Sequence, residues 1–111
     1  MTFSPGDIVF ADLGFVASGY EQVGARPAIF LHAEGGVSLI IPLTSNMARL
    51  RFAGTVRINP DHTNGLASPS VALAFQMRAT DSRRLRYRIG RLSAQDARNV
   101  NKVIRSVALI S

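Results

Sequence analysis

Arg26-Pro27-Ala28-Ile29-Phe30-Leu31-His32-Ala33-Glu34-Gly35-Gly36-Val37-Ser38-Leu39-Ile40-Ile41-Pro42-Leu43 reads as two β-strands folded about a tight turn. Arg26 to His32 is rich in apolar and aromatic residues. It is entered through Pro27, which cannot donate to a ladder and so suits a strand start or edge. Glu34-Gly35-Gly36 supplies glycines where a hairpin turn needs backbone angles that other residues resist. Val37 to Leu43 is nearly all apolar, the pattern of a central strand covered on both faces.

The flanking segments extend this hairpin into a sheet. Asp7 to Leu13 alternates and is β-rich, so it predicts a strand. Gly14 to Gly24 carries three glycines with Ser18 and Glu21, the composition of a long exposed loop. Thr44 to Phe52 is polar and basic, a loop or short helical turn. Gly54 to Ile58 predicts a fourth strand. Asn59 to Pro69 is dense in turn formers and predicts an ordered surface loop. Ser70 to Gln76 predicts a fifth strand, and Leu85 to Ile89 a sixth whose Arg86 and Arg88 share a solvent-facing side. Ser93 is a good helix N-cap with Asp96 three residues on. Ala97, Val100, Val103, Ile104, Val107 and Ala108 follow at helical spacing, with Arg98, Lys102 and Arg105 off that stripe. Short strands followed by one terminal helix predict a mainly β fold, a small SH3-like barrel with a C-terminal helix. At 111 residues this is expected to be one domain over 1–111.

Composition narrows the chemistry. There is no cysteine, so disulfide and thiolate chemistry are excluded. His32 and His62 are too few and too far apart to predict a metal site, and no cofactor is expected. Met1 to Asp7 lacks the pattern of a signal peptide, and no apolar run is long enough to span a bilayer, so a cytoplasmic location is expected. The formal net charge is +6, and twelve of the thirteen cationic residues are Arg, six of them between Arg78 and Arg91. Arg offers a planar donor fork matched to phosphate. Such a surface suits nucleic acid or an acidic protein, and equally a solvated face.

Function is carried by five ordered pieces: Gly6-Asp7-Ile8-Val9, then Gly19-Tyr20-Glu21-Gln22-Val23-Gly24-Ala25-Arg26-Pro27, then Pro42-Leu43-Thr44-Ser45, then Gln76-Met77-Arg78 with Thr80-Asp81, and finally Ile89-Gly90-Arg91-Leu92-Ser93. Together they resemble the MazF/PemK family of toxin endoribonucleases, whose loop reads G-x-E-Q-x-G-x-R-P. The resemblance covers nearly the whole chain. It implies a barrel of the CcdB/MazF/PemK type, and a toxin that cuts single-stranded RNA without a metal by 2′-hydroxyl attack, leaving a 2′,3′-cyclic phosphate. It also implies a homodimer and a short acidic antitoxin partner.

The resemblance names Arg26 and Thr44 as the catalytic pair. Arg26 suits charge stabilisation, because a guanidinium is a poor proton donor. The Thr44 hydroxyl either reaches the same phosphate or satisfies a turn after the strand. Glu21 is a candidate general base or a residue that holds its loop. Gln22 and Gln76 bond to base edges or stitch loop to sheet. Phe15, Tyr20, Arg49, Arg51 and Arg78 are candidate RNA contacts, since unpaired bases stack on aromatic and Arg side chains. One departure stands out: several family members carry an active-site Asp where this chain has Phe75. A Phe cannot move a proton, though it can stack on a base. Asp81 does not replace it by sequence alone, and His62 reads as a solvated loop residue. The same fold leaves two other outcomes open, a CcdB-like gyrase poison and a degenerate toxin that only binds its antitoxin. A gyrase supercoiling assay beside an RNA digestion separates them.

Overall fold

A computed structural model describes residues 2–14 and 24–110, without the side chains of 109 and 110. Seven antiparallel strands and one helix lie among them: β1 (Asp7–Asp12), β2 (Ala25–Glu34), β3 (Val37–Thr44), β4 (Thr55–Ile58), β5 (Ser70–Leu73), β6 (Arg78–Asp81), β7 (Leu85–Arg91) and α1 (Ala94–Ile110). The sheet runs β4-β5-β3-β2-β1-β7, and β6 also pairs with β3.

The β2–β3 hairpin is the frame. Glu34 pairs with Val37 across Gly35 and Gly36, and both glycines take positive φ (58° and 81°), as a two-residue turn requires. Both faces of the hairpin are covered. Ile8, Ile29, Ile41 and Leu43 join the main core, while Val9, Ala11, Ala28, Phe30 and Ile40 form a second apolar cluster on the other face. That double burial explains the near-continuous apolar run of β3. The same strand changes partner along one edge: Val37 to Ile40 pair with β6, Leu43 and Thr44 with β5. Pro42 falls in the gap between the two ladders, where its missing N–H costs no bond to either.

Helix α1 begins as its cap predicts, with Ser93 Oγ accepting from Asp96 N (3.1 Å). Val100 is buried in the main core, with Ala97, Val103 and Ile104 packed beside it. Arg98, Lys102 and Arg105 are exposed, and so is Ala108, which falls off the buried stripe. No helix among the described residues is long and apolar enough to cross a membrane.

Several sequence expectations need correction. The fifth strand stops at Leu73, and Ala74–Gln76 form a 3₁₀ turn instead. Phe75 N there donates to Gly54 O rather than along a strand. Strand β6 was not expected; its four residues alternate too briefly to register as a period. The last strand extends to Arg91, and Tyr87, between the exposed Arg86 and Arg88, is exposed as well. Two irregularities in the β1–β7 ladder break the simple alternation, and Tyr87 stacks on Phe10 at 5.3 Å. The 59–69 loop is not wholly a surface feature, since Asn64 is fully buried within it.

Candidate functional site

Register brings the two principal candidates together. Ala28 pairs with Pro42, so continuing that ladder by two residues sets Arg26 across from Thr44 on the same face of the hairpin. Both line a cleft of about 310 Å³ with Ser45 from the end of β3. The opposite wall is Leu66, Ala67, Ser68 and Ser70, from the β4–β5 loop and the start of β5.

That wall is held by a polar network inside the loop. Asn64 Nδ2 donates to Asn59 O (2.8 Å), and its Oδ1 accepts from Leu66 N (3.0 Å). Asp61 Oδ1 accepts from Thr63 N and Asn64 N, both at 2.8 Å, and these bonds hold the Asp61 carboxyl below its ordinary value. Arg91 N donates to Thr63 O (2.8 Å), which ties the loop to β7. The approach is close enough that a Cβ at Gly90 would stand 2.4 Å from the Asn64 carbonyl. This wall was missed by sequence reasoning, which had only the serines near the end of a turn-rich run as a signal.

Arg26 is half-buried, and its Nη1 makes a long 3.5 Å contact with Leu43 O. Burial lowers its pKa from the ordinary guanidinium value, and the charge of Arg78 lowers it further. Arg78 lies opposite Ile40, four residues before Thr44 and on the same face of β3. Two guanidiniums that repel each other on one face make a place where an anion is favoured. Thr44 is buried, and its Oγ1 accepts from Asn46 N (3.2 Å). The turn-satisfying role is therefore present, yet a hydroxyl accepting there keeps its own proton to donate.

The remaining candidates divide. Arg49 and Arg51 lie away from the cleft, in a second recess with Phe52 and Phe75. Gln76 is half-buried at the end of its 3₁₀ turn. Asp81 caps the next turn through Arg83 N (2.9 Å) and pairs with Arg83, which lowers its pKa to about 2, so it is no proton carrier near neutrality. His62 is exposed, as its solvated reading expects. Phe15, Tyr20, Glu21 and Gln22 lie outside the described residues. No group of three His, Asp or Glu side chains placed to hold a metal occurs among the described residues. A half-buried cation beside an oriented hydroxyl, in a cleft with further serines, can hold a phosphate and stabilise charge that grows on it.

The sequence profile of a family described as PemK-like, MazF-like toxin of type II toxin–antitoxin system matches residues 4–108. Among solved structures, MazF from Deinococcus radiodurans superposes with TM-score 0.79 at 24% identity, covering 97% of each chain. The Mycobacterium tuberculosis toxin MazF-mt6 gives 0.72 at 23%, covering 92% of this chain and 95% of that one. An endoribonuclease in complex with its cognate antitoxin, from a mycobacterial species, gives 0.76 at 15%, covering 99% and 98%. A search of curated protein sequences finds no significant match.

Proposed function

The chain belongs to the PemK-like, MazF-like toxin family of type II toxin–antitoxin systems, and from that membership we propose that it acts by cutting single-stranded RNA. The observation that carries this reading is the cross-strand placement of Arg26 and Thr44 in one cleft. In the reaction, the ribose 2′-oxygen bonds to the adjacent phosphorus and the bond to the 5′-oxygen breaks. The products are a 2′,3′-cyclic phosphate and a 5′-hydroxyl. Arg26 stabilises the charge that builds on the phosphoryl oxygens, with Arg78 adding positive potential beside it. Thr44 holds the same phosphate through a hydrogen bond from its hydroxyl, and the departing 5′-oxygen takes its proton from water. Glu21 is assigned the 2′-proton, and Gln22, Tyr20 and Phe15 are assigned contacts with RNA, on the family's motif.

The partners follow from the same membership. A cognate antitoxin is supported by the complex of the structural relative. An acidic antitoxin tail suits a chain of net charge +6. A homodimer in the cytoplasm completes the proposal.

Purified protein incubated with single-stranded RNA in EDTA, read by primer extension, tests it. Cleavage at defined sites is expected, and Arg26→Ala is expected to slow it by about 100- to 1,000-fold. An Arg26→Ala protein that cuts as fast as the unaltered chain would remove Arg26 from the mechanism.

A further inference from the structure

The recess formed by Arg49, Arg51, Phe52 and Phe75, about 330 Å³ in volume, shares no residue with the Arg26–Thr44 cleft. Its two rings meet at 6.2 Å and 56°, tilted, so neither covers the other's face. Phe52 is 36% exposed and Phe75 40%. The Arg51 guanidinium sits 4.9 Å from the centroid of the Phe52 ring, and that of Arg49 lies 5.8 Å from it. Arg49 Nε is enclosed without a hydrogen-bond partner. Among the described residues no carboxylate lines the recess, which carries two cationic side chains.

The recess is rigid in construction. Thr55 Oγ1 donates to Phe52 O (2.9 Å), and Phe52 N donates to Arg49 O (3.1 Å). Phe75 is held against Gly54 by its N–H (3.2 Å). Gly54 takes φ +77°, and a Cβ there would lie 3.1 Å from Phe75 Cβ. Two exposed rings beside guanidiniums, which lie over Phe52 and, among the described residues, leave Phe75 uncovered by a cation, are the elements of a platform for a flat, unpaired base on an anionic strand.

We propose that Phe52 and Phe75, with Arg49 and Arg51, form a stacking subsite for one nucleobase flanking the scissile phosphate. This rests on the RNA-cutting reading above. Thr44 and Ser45 line the cleft, and Arg49, Arg51 and Phe52 come to the recess from the Met47–Arg51 3₁₀ turn and its C-cap, only four residues further along the chain. The subsite requires that one strand of RNA reach both. Phe75 then stacks on the base rather than moving a proton. A second copy of the chain is a poorer occupant. Centred on this recess, a two-fold contact would bring each Arg pair against its own copy, like charge against like.

The probe is a 2′-O-methyl oligoribonucleotide carrying a cut site mapped by the primer extension above, which lacks the attacking hydroxyl and stays intact. Phe52→Leu and Phe75→Leu keep apolar bulk without a flat face, and each is expected to weaken binding about 5- to 100-fold by fluorescence anisotropy. Phe75→Tyr is expected to bind as the unaltered chain does. An oligonucleotide abasic at the stacked position should bind the unaltered chain weakly and lose nothing further in Phe75→Leu. The chain has no Trp, so Phe75→Trp supplies a fluorophore within the recess, and quenching by the bound oligonucleotide is expected. Tight binding unchanged in both Leu variants, with no quenching in Phe75→Trp, overturns the subsite and leaves the RNA reading standing. Failure of the unaltered chain to bind any RNA overturns both. A Leu variant that binds RNA normally but sediments as a smaller species overturns the subsite by making the recess a contact between copies.

Discussion

Among single residues, Arg26 and Thr44 are the proposed catalytic pair, and their places on the strands set what surrounds them. Arg26 sits at the end of a row whose other members, Ala28 and Phe30, are buried in the second apolar cluster. The row surfaces where the cleft begins, so the guanidinium is half-buried instead of fully solvated. Replacing Thr44 by Val keeps the branched shape and removes the hydroxyl. RNA cleavage is expected to fall at least tenfold while the melting temperature moves little, as single-turnover assays and thermal unfolding will show. Asp7 is the contrasting case, structural throughout. It is buried, accepts from Ser4 N (2.8 Å), and pairs with Arg88 (3.2 Å) and Arg91 (2.9 Å). Asp7→Ala leaves those donors without their acceptor and is expected to cost about 1–3 kcal/mol in urea unfolding.

Between elements, the β4–β5 loop matters most because it forms one wall of the cleft while docked on β7. Gly90→Ala would drive a Cβ into Asn64 and Thr63. The expected result is a destabilisation of about 1–3 kcal/mol together with slower RNA cleavage, because the wall shifts with the loop. Unchanged activity in a folded Gly90→Ala protein would detach the loop from function. The short turn after β6 gives a pH-dependent feature. Asp81 has its pKa lowered from 3.8 to about 2 by bonds to Arg83. A depressed carboxyl stabilises the fold fully above its unfolded value. That contribution fades as pH falls from about 4 through 2. The pair is exposed, so the effect is small. An NMR titration of the Asp81 carboxyl is expected to show its midpoint near 2.

Across the whole molecule, the excess of arginine gives a net charge of +6, which suits the proposed RNA substrate. Binding to single-stranded RNA is expected to weaken log-linearly with salt, by about 0.7 in slope for each phosphate neutralised. Arg78→Gln removes one cation from the Arg26 face and is expected to reduce that slope by about 0.7, measured by anisotropy across a salt series. Salt-independent binding would mean that this cationic face does not meet the backbone.

Much of this was legible in the chain itself. The β2–β3 hairpin, the cap at Ser93 and the solvent side of α1 follow from local preference and periodicity, which act over a few residues and leave a mark in order and spacing. The ordered motifs around Arg26 and Thr44 placed the family for the same reason. Strand β6, the end of β5 at Leu73 and the burial of Asn64 had no such mark, because each depends on partners distant in sequence. β3 divides one edge between two strands, Gly54 captures the Phe75 amide, and β7 receives the 59–69 loop. The aromatic recess belongs with these. Phe52 and Phe75 are 23 positions apart, and neither residue alone predicts the other's ring. The sequence by itself determined the β2–β3 hairpin, the helix and the candidate cation–hydroxyl pair. Only the tertiary structure decided which residues surround that pair, because cross-strand contact is set by register and packing rather than by neighbours along the chain.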